Sequence, residues 1–389
     1  MSAALARLTS HGTERRAAAD EFRARHHGGV IGYVGADVPV EYLTAAGLLP
    51  LRLYGSPGTP STDGDRFLGT GLDPAARSVL TRLIAGDFGP LDGIVVSRDC
   101  EASLRLFYAL RELRRVDPAL ALPPVHLVDV LHLPHRTTTR YVRAKLRQLR
   151  ATVETWAGRS IDDDALADAI GAHDRLRTLL TEVAALRRSH PARLTGSQAL
   201  TVVAATTALP VDRATALLAD LLAEADHLPG HEGVRVFLTG SPHDTGHVYT
   251  ALEDSGLLVV GEDHDWGDLL SLRRTGAPTE AALAERYQYN GPTAPRASIR
   301  ARAQHTRRAA RECGAHALVA YARVRDEAPG WDYPAQREAT GLPSVLLRRQ
   351  PYGALGEEAA EELEGLAGLA GLARTVRPTG PRAHAEAAR

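Results

Sequence analysis

Apolar residues follow two rhythms along the chain, and the switches between them mark out its segments. In the first third, short apolar runs alternate with helical spacing. Val30–Val34 reads as a strand, Val38–Ala46 as a helix with Pro39 in its first turn, Gly47 as its stop, and Leu49–Leu53 as the next strand. Gly93–Val96, a helical pattern from Glu101 to Leu110, and Val125–Asp129 continue the alternation, which implies a parallel sheet covered by helices. From about Arg136 to His227 the period is helical throughout. Leu146, Leu149, Val153 and Trp156 share a face, and Ile161–Leu166 opens a helix with acidic residues in its first turn. Further helical stretches run Ala172–Ser189, Thr195–Leu209 and Asp212–Ala225, before Pro229 and Gly230 break the pattern. A second alternation follows: strand Val234–Thr239, helix Thr245–Ser255, strand Gly256–Val260, helix Ala294–Cys313, strand Ala317–Ala322, helix Tyr333–Thr340 and strand Pro343–Leu347.

The expected class is therefore α/β, with two Rossmann-like parallel-sheet lobes and a helical segment between them. The boundaries read as an Ala- and Arg-rich helical arm over 1–28, a first lobe over 29–135, a helical domain over 136–230 and a second lobe over 231–352. The tail, 353–389, is expected to hold one helix and a frayed end. The first lobe lacks the glycine-rich dinucleotide fingerprint.

Composition narrows the function. With 389 residues, 44% hydrophobic and 24% charged, the chain is long enough for two or three ordinary domains. A formal charge of -1 gives no footprint for nucleic acid or an anionic membrane, and no apolar run reaches the length of a membrane span. Lys145 is the single lysine among 46 basic residues, which removes lysine as a catalytic base or Schiff-base former. Cys100 and Cys313 are too few for a disulfide framework, and no signal-like stretch follows the start, so a reducing cytoplasm is expected.

Cys100 stands where a strand ends and a helix begins, the edge at which parallel α/β proteins bind ligands. A thiol aimed at a helix N-terminus gains thiolate character, so it suits a metal ligand or nucleophile; the alternative is a small apolar cap on the sheet.

Several separated stretches, in a common order, carry a resemblance. They are Gly32-Tyr33 with Val38–Leu43 and Ala45–Pro50; Leu146–Pro191 with Gly158, Ile161, Arg175 and Arg177; Val236–Pro242; Glu285–Tyr287; and Asp332–Pro334 with Gly341–Pro343. On these the chain resembles the 2-hydroxyacyl-CoA dehydratase and benzoyl-CoA reductase family, in its dehydratase D-component branch. The resemblance implies a two-lobed fold with a [4Fe-4S] cluster between the lobes, a related partner subunit or a homo-oligomer, and an ATP-hydrolysing activator that supplies one electron to a CoA thioester. It also implies three cysteine ligands per subunit. Cys100 matches the first. The second position, after Leu257–Val260, is held by Asp265, and the third, after Leu318–Tyr321, by Arg325 or its neighbour Val324. Cys313 lies before its strand and does not substitute.

Three readings follow: an acyl-CoA enzyme subunit whose partner holds the complete cluster, a cluster-less accessory subunit, or a repurposed enzyme of specialised metabolism using the cleft. Cys100, His264 and Asp265 all fall at strand ends, and such S, N and O donors can bind one zinc or iron ion; otherwise Glu262–Asp265 is a solvated loop. Glu41 is a candidate to accept a proton or hold a substrate hydroxyl, or else a first-turn carboxylate. Ser241, in Gly240-Ser241-Pro242 between strand and helix, is a candidate to meet a phosphate or thioester oxygen, or part of a tight turn. His126, His132 and His135 read as packing and loop residues, and Arg300, Arg302, Arg307, Arg308 and Arg311 as a CoA-steering or simply solvated helix face.

Overall fold

Two four-stranded, all-parallel sheets with the same strand order carry the chain in a computed structural model, which describes residues 2–26, 28–289, 291–293 and 296–376. Helices α1 (Ala3–Thr13) and α2 (Arg15–His26) precede β1 (Val30–Val34), α3 (Val40–Ala45), β2 (Leu49–Arg52), α4 (Thr62–Leu68), α5 (Pro74–Ile84), β3 (Gly93–Ser97), α6 (Glu101–Val116) and β4 (Val125–Val128). Four helices follow: α7 (Arg136–Ala157), α8 (Asp163–Arg188), α9 (Gly196–Thr206) and α10 (Val211–Ala223). The second half runs β5 (Val234–Gly240), α11 (His247–Asp254), β6 (Leu257–Glu262), α12 (Glu280–Gln288), α13 (Ile299–Glu312), β7 (Ala317–Arg323), α14 (Ala328–Thr340), β8 (Ser344–Gln350) and α15 (Ala359–Val376). The sheets are ordered β2-β1-β3-β4 and β6-β5-β7-β8, so each reverses direction of winding beside its first strand.

Alternation along the strands divides the cores. In the first sheet Val30, Leu49, Leu51, Ile94 and Val96 face one cluster with α1, α8, α9 and α10, whereas Ile31, Tyr33 and Val95 face another with α3, α7 and α12. Helices from the middle segment thus complete the core of the first sheet. The second sheet packs Val236, Val259 and Val319 against α11 and α15, and Phe237, Val260 and Leu318 against α13.

The expected fold class is borne out, with local differences that have physical causes. The N-terminal arm is two helices, broken at Glu14. The stretches read at Ile161–Leu166 and Ala172–Ser189 are one helix, α8, because exposed Gly171 costs only about 1 kcal/mol inside a helix packed against both lobes. Helices α4, α5 and α12 are additions to the expected set, although Asp73 capping the Ala75 N–H with Pro74 at the first position is a start signal. Pro39 caps α3 rather than opening it. Helix α14 starts five residues before Tyr333, because the Asp326 carboxylate accepts the Ala328 N–H, and it runs through Pro334. Ser298 caps α13; the start read at Ala294 lies outside the described residues, as does the end of the tail.

Helix α8 ties the halves together through two buried ion pairs. Arg177 meets Glu41 of the first lobe at 2.5 Å, and Arg187 meets Glu262 of the second at 2.5 and 2.6 Å. Each glutamate also accepts a tyrosine hydroxyl, Tyr287 on Glu41 at 2.9 Å and Tyr249 on Glu262 at 3.0 Å. Burial opposes ionisation of Glu41, but Arg177, with His173 and Arg286 behind it, outweighs this and holds the carboxyl at about 2.

Glu41→Gln is expected to destabilise the protein by roughly 3 kcal/mol in urea unfolding, since it leaves Arg177 buried without its counter-charge. Because the folded pKa lies below the unfolded value near 4.5, the wild-type advantage is complete above that pH and is lost as pH falls toward about 2. An equal stability of the two proteins at pH 7 would refute the assignment.

Candidate functional site

The carboxyl ends of both sheets open onto one cleft of about 1000 Å³. Gly35, Asp99 and Cys100 wall it from the first lobe, and Gly240, the Asp263–Trp266 stretch and Arg325 from the second. Ion pairs knit its walls across the lobes: Arg52 to Asp265 at 2.7 Å, Arg323 to Asp73 at 2.7 Å, and Arg296 to Asp37 at 3.0 Å. Arg52 is almost wholly buried, donates to both the carbonyl and the carboxylate of Asp265, and lies 3.8 Å over the Trp266 ring.

Cys100 caps α6, its sulfur 3.4 Å from the Ser103 N–H and 3.2 Å from the Ser103 hydroxyl. The thiolate character expected of that position does not follow. Cys100 remains accessible through the cleft, but the surrounding protein and the neighbouring Asp99 carboxylate push its thiol up to about 12, against the helix terminus. Asp99 accepts the Ala36 N–H at 2.9 Å through one oxygen, while its other oxygen is buried without a hydrogen-bond partner among the described residues. Gly35, at φ 91, makes this approach possible: a Cβ there would lie 2.3 Å from the Asp99 carboxylate.

Opposite stands a run of three acid and imidazole groups with separate partners. Asp263 accepts the hydroxyls of Thr239 at 2.8 Å and Thr306 at 2.9 Å, and Gln336 donates to both hydroxyl oxygens, which fixes their direction. Burial pushes Asp263 up to about 6 despite these bonds. The Tyr249 hydroxyl donates to Glu262, so it accepts the Nε2–H of His264 at 2.8 Å; His264 Nδ1 is then a bare acceptor without a partner among the described residues. Burial holds this imidazole neutral by lowering its pKa. Burial opposes ionisation of Asp265, yet Arg52 and then Arg296 outweigh it and keep the carboxylate charged.

The structure thus brings Cys100, His264 and Asp265 to one cleft, but each is directed to a different neighbour. Among the described residues no group of three or more His, Cys, Asp or Glu side chains is placed to hold a metal ion. Glu41 is fully buried beneath the sheet in its Arg177 pair, away from the cleft lining. Ser241 is buried as well: its hydroxyl donates to Asp326 at 2.6 Å and accepts the Arg323 N–H at 3.0 Å, while its neighbours Gly240 and Pro242 form the wall. Cys313 packs in the core against the backbone of Gly261 and does not reach the cleft. Of the residues passed over in the sequence, Asp99 has a signal, being next to Cys100 at a strand exit. Thr306 and Gln336 sit on helices, and only packing directs them at Asp263.

Two parallel sheets of one strand order, facing each other across a cleft at their carboxyl ends, define a two-lobed α/β protein whose cleft lies where parallel α/β folds bind ligands. Residues 36–348 match the family model for 2-hydroxyglutaryl-CoA dehydratase, D-component, and the chain belongs to that family. It is 27% identical over 246 residues to a benzoyl-CoA reductase subunit of Thauera aromatica, covering 60% of this chain and 61% of that protein. It is 23% identical over 241 residues to the beta subunit of (R)-2-hydroxyglutaryl-CoA dehydratase of Acidaminococcus fermentans, again covering 60% and 61%. The beta subunit of lactoyl-CoA dehydratase of Anaerotignum propionicum is 19% identical over 268 residues, covering 68% and 69%. The matches span about three fifths of the length of the first two relatives. Among the described residues no helix is long and apolar enough to cross a membrane.

Iodoacetamide at pH 8 is expected to label Cys100 at least ~10-fold more slowly than a free cysteine, and Cys313 not at all in the folded protein. Peptide mass spectrometry over time measures both; labelling of Cys100 faster than glutathione would contradict the raised thiol pKa.

Proposed function

We propose that this chain is a 2-hydroxyacyl-CoA dehydratase-like subunit that binds a CoA thioester or related acyl substrate in its interlobe cleft, while a related partner holds the complete [4Fe-4S] cluster. Family membership and the names of its relatives, each a subunit of a larger enzyme, support the reading. The observation that carries it is the donor set of the cleft. Cys100 supplies one thiol, Asp265 is committed to Arg52, and a guanidinium such as Arg325 has no lone pair for iron. These residues do not fit a cluster of the family type, so the chemistry assigned to this chain is binding and proton handling. Any ATP-dependent activator would address the partner.

Within that role, the apolar wall at Leu68, Leu72, Val79 and Leu106 takes an acyl or pantetheine chain, and the ion pairs across the lobes set the cleft's width. Asp263, pushed up to about 6, can exchange a proton with a substrate hydroxyl or an adjacent carbon near neutral pH. That group also supports the alternative of a repurposed, cluster-free acid–base enzyme.

Anaerobic purification with iron and sulfide analysis decides among these. The isolated chain is expected to be colourless and iron-free. Co-expression with a partner of the same fold should give about four iron and four sulfide per heterodimer. A stoichiometric cluster in the isolated chain would overturn the proposal, and a cluster-free pair that still turns over substrate would favour the acid–base enzyme.

A further inference from the structure

Three residues other than glycine have positive φ among the described residues: Ala121, Arg325 at 74° and Arg349 at 52°. Left-handed backbone is disfavoured for a long L side chain, and such strain persists where the fold requires it. The two arginines are neighbours in space. They follow β7 and end β8, where the Val324 N–H donates to the Gln350 carbonyl at 2.9 Å. Arg348 is a third member, its guanidinium 3.6 Å from where a Cβ on Gly330 would sit. Next to Gly330, Trp331 is 73% exposed.

These cations differ from those inside the cleft. Arg52, Arg296, Arg302 and Arg323 each carry an aspartate, whereas Arg325, Arg348 and Arg349 are exposed and have no ion-pair partner among the described residues. Asp326 and Glu327 on the same loop leave the edge of three arginines net positive by one. Arg325, Ala328 and Pro329 also line the cleft, so the patch and the cleft are continuous.

We propose that this edge of β7 and β8 docks the nucleotide end of a CoA thioester, with the Trp331 indole stacked on the adenine and Arg325, Arg348 and Arg349 on the phosphates. The proposal rests on the CoA-thioester reading and places one end of that ligand on this chain. One aromatic face and three free cations match a single nucleotide bearing a diphosphate and a further phosphate. From the rim, the pantetheine arm leads past Pro329 into the cleft.

Calorimetric titration of the full chain tests this with butyryl-CoA, CoA, 3′-dephospho-CoA, ADP, inorganic phosphate and nucleotide-free butyryl-pantetheine. Butyryl-CoA should bind more tightly than butyryl-pantetheine, and Trp331→Ala should weaken CoA and ADP about tenfold. Arg325→Gly and Arg349→Gly should each weaken butyryl-CoA about tenfold while raising Tm, because glycine relieves the positive φ; a purely structural arginine would lower Tm instead. Equal affinities of wild type and variants for butyryl-CoA overturn the location and leave the acyl-CoA reading standing. Binding of CoA and ADP, weakened by the substitutions, with no gain from the acyl chain supports the edge and sinks the acyl reading. Phosphate binding as tight as CoA, or no binding of any probe by the wild type, overturns the proposal.

Discussion

Two arginine–glutamate pairs on one helix decide how the lobes stand to each other. Arg177 reaches Glu41 in the first lobe and Arg187 reaches Glu262 in the second; both glutamates are buried, and each is completed by a tyrosine hydroxyl. Burying a charged pair returns little net stability, because desolvation offsets the attraction, but removing one partner is severe. Such pairs therefore specify geometry more than they add strength. Sheets connected by apolar contacts alone could slide; the two-pronged contact of Arg187 with Glu262 and the single bond of Arg177 to Glu41 have directions that sliding would break.

That arrangement gives the cleft its chemistry. Arg52–Asp265 and Arg323–Asp73 each join an arginine of one lobe to an aspartate of the other, so the walls are held together by groups that line them. Of the cleft carboxyls without an arginine partner among the described residues, Asp99 and Asp263 are raised by burial. The floor of the cleft is thus a mosaic of neutralised pairs and acids without a counter-charge. The tight fit of Arg52 beneath Trp266 places a cation at the strand end where the resemblance implies a cysteine ligand.

The α/β class, both lobes and the helical middle are legible because strand alternation and helical periodicity are local properties of the chain. Cys100 at the end of β3 is legible for the same reason: a strand exit can be read from neighbours in sequence. The partners are not. Glu41 looks like an ordinary first-turn carboxylate until Arg177, 136 residues away, is seen against it. Ser241 looks available, but Asp326 lies 85 residues on and takes its hydroxyl. His264 and Asp265 do stand at a strand end on the cleft, yet nothing local says that one turns to Tyr249 and the other to Arg52. The helix α5 start signal, Asp73 before Pro74, is present in the sequence itself.

Ten residues separate the two arginines of α8, which is about 15 Å of rise and just under three turns. Their side chains therefore leave the helix roughly a quarter turn apart. The helix is a gauge whose length and phase are counted in residues: substitutions along it can be absorbed, but one inserted or deleted residue between positions 177 and 187 would swing one lobe about 100° out of register. Between Arg177 and Arg187 the helix is thus closed in length, and the positions of the two lobes are coupled through its residue count.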